Sequence, residues 1–178
     1  MIVYRHADPR FPFVWESADQ PPARWHATGG GPVQYFSSTP DAAWAEFLRH
    51  EEINEPDDLA GINRALWSVE LDPAGLGRPR LPASVMIGDE STYAACRAAA
   101  ERLRGRGSAG LVAPSAAVER RVGSGLRTDR GLRRGPARAE FVVALFGRRP
   151  DLVGWSACAE GRPRADLLPR VRHFGSQR

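Results

Sequence analysis

The sequence predicts an α+β fold, folded as a single domain over residues 1–178. Apolar alternation and short apolar runs mark several strands. Two segments carry apolar residues at helical spacing. The two kinds of element do not alternate regularly as strand, helix, strand, so a doubly wound parallel sheet is not expected. At 178 residues the chain is long enough to bury about two-thirds of its unfolded surface.

Ile2–Arg5 reads as a first short strand, followed by an apolar loop at Pro9–Pro22 containing Phe11, Phe13 and Trp15. Val33–Ser37 alternates Val33, Tyr35 and Ser37 against Gln34 and Phe36, a strand pattern. Thr39 as N-cap and Pro40 at the first helical position open a helix, with Asp41 in the turn where the helix dipole favours it. It runs to about Glu52, with Ala43, Trp44, Phe47 and Leu48 as its stripe and Glu46 on the flank. An acidic connector follows at Asn54–Gly61, then a strand at Ala65–Leu71 and a loop at Asp72–Pro82. Ser91–Arg104 reads as a second helix stopped by Gly105 and Gly107. Ala109–Ala113 is a buried strand that runs into Pro114-Ser115. Arg120–Ala137, rich in Gly and Arg, reads as a mobile loop, and Ala139–Phe146 as the strongest strand. Gly and Pro punctuate residues 147–169, and Arg170–Phe174 reads as a last short strand.

The bulk numbers exclude several classes. With 42% hydrophobic and 26% charged residues, the composition is that of an ordinary globular protein. No apolar run approaches the length of a membrane span, and Met1-Ile2-Val3-Tyr4-Arg5 does not resemble a signal peptide, so the expected location is the cytoplasm. Cys96 and Cys158 would stay reduced there, and with four scattered histidines they offer no metal-ligand spacing; no metal is expected. All 25 basic residues are Arg. Residues 1–95 carry 7 Arg and 14 acidic residues, and residues 96–178 carry 18 Arg and 7 acidic residues. The two halves are expected to neutralise each other. Direct nucleic-acid binding is not expected, because no aromatic residue interleaves the Arg run at 120–138.

The segment from Pro22 to Glu46 carries the chemistry. It places Arg24 before a glycine turn, Tyr35 on a strand and Glu46 in a helix. Cation, aromatic platform and carboxylate are the side-chain types that hold a dinucleotide and break its glycosidic bond. Gly29-Gly30-Gly31 precedes a strand rather than a helix, so it is neither a Rossmann fingerprint nor a P-loop. On the residues alone each candidate also has a plain reading: a salt bridge for Arg24, a half-buried strand aromatic for Tyr35, a solvated helix carboxylate for Glu46 and a strand-ending serine for Ser115.

Taken in order, Arg24-Trp25, the glycine turn, Tyr35 with Ser37, and Ala45-Glu46 resemble the RES domain, named for an Arg, a Glu and a Ser. Its Ser corresponds to Ser115 in Gly110-Leu111-Val112-Ala113-Pro114-Ser115-Ala116. Val3-Tyr4-Arg5 is similar to the family's opening strand and Phe141–Phe146 to its late strand. Tyr and Glu stand eleven residues apart, and the resemblance covers roughly residues 2–147, leaving 151–178 as an extension. The chain departs from the family pattern at Pro22-Ala23, where Gly-Gly is usual, at His26, where Asn is usual, and at Arg120-Arg121.

The resemblance implies an ADP-ribosyltransferase-like fold, a mixed and mostly antiparallel sheet with flanking helices. It implies a toxin that consumes NAD⁺ as substrate and is paired with an antitoxin, often of the Xre helix-turn-helix type. Arg24 would hold the pyrophosphate or a ribose. Tyr35 would stack on the nicotinamide with its hydroxyl toward the ribose. Glu46 would stabilise the cationic ribose and orient water, and Ser115 would bond the substrate or Glu46. Arg5 and His26 are further candidate ligands, to phosphate or ribose and to the adenosine side. Two other outcomes stay open: transfer of ADP-ribose to a protein, and a non-catalytic Arg-rich module binding nucleic acid or an acidic partner. A homo-oligomer is also left open.

Overall fold

The strands foreshadowed by the apolar runs assemble into one seven-stranded sheet. The structure, a computed structural model, describes residues 1–17, 19–118 and 123–174. In chain order the strands are β1 (Ile2–Ala7), β2 (Val33–Ser37), β3 (Arg64–Glu70), β4 (Leu76–Gly77), β5 (Gly110–Pro114), β6 (Gly123–Thr128), β7 (Leu132–Arg138), β8 (Phe141–Phe146) and β9 (Gly154–Gly161). The helices are α1 (Pro40–His50), α2 (Ala83–Ile87) and α3 (Tyr93–Gly105), with 3₁₀ turns at Pro56–Gly61, Glu90–Thr92 and Ala165–Arg170. The sheet order is β4-β5-β8-β2-β1-β3-β9, and β6 and β7 form a separate two-stranded sheet. All neighbours in the large sheet are antiparallel except β4 and β5. This is the mixed, mostly antiparallel α+β architecture that the sequence predicts.

β8 is the buried spine, paired on one side with β5 and on the other with β2. Gly110 sits where β5 crosses it: a Cβ there would lie 2.5 Å from the Ala144 carbonyl oxygen, so only glycine lets the strands close. β1 and β3 run in register from Ile2↔Glu70 to Ala7↔Ala65, but β1 meets β2 at one pair, Tyr4↔Ser37. The sheet is therefore two leaves joined at a single point. Alternation along β1 and β2 puts Tyr4 and Tyr35 on one face and Val3 and Phe36 on the other. On the first face, α1 packs Trp44, Phe47 and Leu48 against Leu66 and Tyr4, while α3 packs Cys96 and Ala100 against Leu111 and Ala144. The opposite face gathers Val3, Phe36, Val69, Val143 and Leu145 under Phe13 and Leu152.

Four departures from the sequence expectation have physical causes. The predicted mobile loop contains a β-hairpin, β6–β7, reversing at Asp129-Arg130-Gly131, where Arg130 and Gly131 both take positive φ of 54° and 113°. From Gly125 to Thr128 and along β7 the strands are exposed on both faces, Gly135 alone being half-buried, so they show no apolar alternation; Arg120 and Arg121 lie outside the described residues. β9 is an edge strand whose small and polar residues hide it. α2 is a short helix with no buried residue, in the stretch between the expected loop at Asp72–Pro82 and the expected helix at Ser91–Arg104, to which the sequence assigns no element. Arg170–Phe174 is not a strand: only Val171 makes a bridge, to Val118, after the 3₁₀ turn. Cys96 and Cys158 are both free. Among the described residues no helix is long and apolar enough to cross a membrane.

Candidate active site

The predicted cap of α1 forms as written: Thr39 Oγ1 accepts from the Ala42 N–H at 3.1 Å, with Pro40 and Asp41 in the first turn. That fixes the helix phase. Ala42–Ala45 and Phe47–Arg49 are buried, and Glu46 is half-buried at the edge of the stripe. Ser115, 4% exposed at the end of β5, donates its hydroxyl to Glu46 Oε1 at 2.7 Å. The serine is fixed by its neighbours, with its N–H donating to the Glu140 carbonyl at 3.0 Å and its Oγ accepting from the Ala117 N–H at 3.3 Å. Two residues 69 positions apart thus form one carboxylate–hydroxyl unit facing the junction of helix and sheet.

Arg24 comes from the other side. Ala23 N–H donates to the His26 carbonyl at 3.1 Å, closing a turn with Arg24 and Trp25 at its tip. The Arg24 guanidinium, on a residue 8% exposed, donates to the Gly88 carbonyl at 2.7 Å and to Thr92 Oγ1 at 3.3 Å, and lies 4.6 Å from the Tyr93 ring centroid. Arg49, one helical turn after Glu46, is 4% exposed and donates to the same Gly88 carbonyl at 3.3 Å. Burial lowers the pKa of the Arg49 guanidinium, Glu46 draws it back up and Arg24 lowers it again. Among the described residues, neither guanidinium is in an ion pair with a carboxylate. Their partners are neutral carbonyls, a hydroxyl and aromatic faces.

Tyr35 and His26 serve this turn. The His26 Nε2 lies 2.8 Å from the Pro21 carbonyl, which only accepts, so Nε2 carries the proton. Nδ1 then accepts from the Tyr35 hydroxyl at 3.0 Å, and that hydroxyl accepts from the Trp25 N–H at 3.2 Å. Burial lowers the His26 pKa, consistent with a neutral ring. Burial likewise raises the Tyr35 phenol, so it remains a donor. Both His26 nitrogens and the Tyr35 hydroxyl are engaged in holding Arg24's turn. Arg5 is not brought to the cluster. It lies on the opposite face of the sheet, bonded to Gln34 Oε1 at 2.6 Å and 5.9 Å from the Phe36 ring centroid, where burial first and Arg64 second push its pKa down to about 10.

Glu46 and Ser115 are therefore bonded to each other, Arg24 and Arg49 converge on the Gly88 carbonyl, and Arg49, three residues after Glu46 on α1, connects the two pairs; Arg49, Gly88 and Tyr93 were not among the expected residues. Arg49 had a signal in its position three residues after Glu46. Gly88 had one in the Gly88-Asp89 step: Asp89 caps the next turn through Ser91 N–H at 3.0 Å, and a Cβ on Gly88 would lie 2.5 Å from Thr92 Cγ2.

A family model for the RES domain matches residues 2–157. The chain belongs to the RES domain family. RES domains form an NAD-related family associated with toxin–antitoxin systems, and they generally pair with an antitoxin. Arg24, Glu46 and Ser115 all lie inside the matched range. A search of the curated proteins gives no match. The RES match ends within β9, so the 3₁₀ turn at Ala165–Arg170 and the residues after it lie beyond it.

Proposed function

We propose that this RES protein is a toxin that hydrolyses NAD⁺ at the nicotinamide–ribose bond. The observation that carries the reading is two buried guanidiniums, Arg24 and Arg49, with no carboxylate bonded to either among the described residues, and a carboxylate, Glu46, one helical turn before Arg49 and held by a buried serine. Buried cations are ordinarily paired. A surplus of them fits a ligand that brings its own negative charge, and a pyrophosphate supplies two.

The chemistry asks little more of the chain. Nicotinamide in NAD⁺ is a cationic leaving group. When its C–N bond breaks, the bonding pair goes to the pyridinium nitrogen and nicotinamide departs neutral, without a general acid. The ribose passes through an oxocarbenium-like state of the kind met in glycoside hydrolysis. Glu46 faces that charge, accepts from a ribose hydroxyl and takes the proton of the attacking water. The new C–O bond gives ADP-ribose, and one proton is released. Ser115 sets the Glu46 carboxylate by donating to Oε1. Arg24 and Arg49 hold the phosphates, with Tyr93 behind Arg24. Tyr35 and His26 position the turn that carries Arg24.

Purified protein incubated with NAD⁺ tests this by chromatography of the products. Nicotinamide and ADP-ribose in equal amounts are expected. Nicotinamide without matching ADP-ribose would move the acceptor from water to a protein, and intact NAD⁺ would overturn the reading.

A further inference from the structure

The segment beyond the RES match closes on both halves of the candidate site. Leu167, Leu168 and Val171 are buried against α1 with Trp44, Phe47 and Leu48. Val171 bridges Val118, and Arg172 grips the strand end that carries Ser115 three times. Its N–H donates to the Ala117 carbonyl at 2.7 Å, and its guanidinium donates to the carbonyls of Ala116 at 3.1 Å and Val118 at 3.3 Å. From there the chain reaches Arg49: the Arg172 carbonyl accepts from Arg49 Nη1, and the Phe174 ring centroid lies 4.0 Å from Arg49 Cζ. Arg49 is thus oriented by two carbonyls, Gly88 and Arg172, and faced by an aromatic ring.

We propose that this segment is a positioning element of the active site, with Phe174 and the Arg172 carbonyl setting Arg49 as the second arm of an anion seat whose first arm is Arg24. The naming of the anion as the dinucleotide's phosphates rests on the NAD⁺ reading; the seat itself does not. Three facts support it. Arg49 is almost fully buried yet has no carboxylate bonded to it among the described residues. Arg24 and Arg49 converge on one carbonyl, that of Gly88. The groups that fix Arg49 from the far side belong to a segment which the family match does not include. A guanidinium packed on a ring and held by carbonyls loses little freedom when it takes up a phosphate.

The test uses inorganic pyrophosphate and the full chain, read as thermal stabilisation over a concentration series. Pyrophosphate is expected to stabilise the wild type and to bind Phe174→Ala roughly ten-fold more weakly. Phe174→Tyr, which keeps the ring, should bind within about two-fold of wild type. Phe174→Leu, which keeps bulk without a π face, should follow the alanine variant and serves if that one does not fold. In turnover, Phe174→Ala should raise KM for NAD⁺ while kcat holds. A wild type that pyrophosphate does not stabilise, or alanine and leucine variants that bind like wild type, would overturn the proposal. Pyrophosphate binding that depends on Phe174 without NAD⁺ turnover would leave the seat standing and remove the activity. Turnover with an unchanged KM in Phe174→Ala would do the reverse.

Discussion

Arginine is used in two opposite ways in this molecule. Along β6–β7, Arg127, Arg130, Arg133 and Arg134 stand exposed in water with their strands open on both faces. At the candidate site, Arg24 and Arg49 are buried, stacked on Tyr93 and Phe174 and bound to backbone carbonyls. The hairpin holds more of the arginines, and the candidate site holds the buried ones. A guanidinium in water interacts weakly and is screened by salt, whereas one kept dry and unpaired is costly unless a ligand compensates it. Burial without a counter-charge among the described residues, rather than the density of arginines along the chain, singles out Arg24 and Arg49.

The contrast can be broken by substitution, beginning at the candidate site. Glu46→Gln keeps the shape and the hydrogen bond from Ser115 but removes the charge; kcat for nicotinamide release should fall by about 10²–10³-fold with the melting temperature little changed. Arg24→Lys or Arg49→Lys keeps the charge and loses the planar fork, so KM for NAD⁺ should rise about ten- to a hundred-fold in steady-state kinetics. Gly88→Ala drives a methyl group into Thr92 beside the carbonyl shared by both guanidiniums; denaturant unfolding should show a loss of about 1–3 kcal/mol together with weaker NAD⁺ binding.

Acid should loosen the frame of the candidate site before it affects the hairpin. His6 stacks with Trp44 and accepts from Arg64 Nε at 2.9 Å; burial first, then Arg64, push its pKa down to about 3. His26 is shifted in the same direction. The unfolded chain therefore binds more protons than the folded one below pH of about 6.5, and stability rises with pH up to that point. Melting temperature should fall on going from pH 7 to pH 5, with up to about 1.4 kcal/mol lost per pH unit for each such histidine, and a flat profile would contradict the buried neutral assignment. The smallest effect is expected from the other side of the comparison. Replacing Arg127, Arg133 and Arg134 together by Gln should leave kcat/KM within about two-fold and stability within about 0.5 kcal/mol.

The same division shows what was legible in the sequence. The Thr39-Pro40 cap, the stripe of α1 and the run of β8 are local signals, and they placed Glu46 and the spine of the sheet. The Ser115 pairing needed a family pattern, since nothing local ties it to a residue 69 positions away. Tyr35 was placed on its strand, but its hydroxyl bonds depend on a turn whose path no periodicity reports. Arg49 went unnoticed: a basic residue in a last helical turn is usual, and its surroundings are supplied by the distant segment at Leu167–Phe174 folding back over α1. Arg5 went to the opposite face because a strand alternates, and its own pattern was too short to say which face was which. The hairpin and β9 escaped because exposed strands need no apolar alternation.

The central claim is that the Arg24, Glu46 and Ser115 cluster breaks NAD⁺. Its most direct test is the initial rate of nicotinamide release from NAD⁺ by wild type and Glu46→Gln, measured side by side on folded protein at equal concentration. Release by the wild type, reduced at least about a hundred-fold in Glu46→Gln, is the expected result. Equal rates in the two proteins, or no release by either, would contradict it.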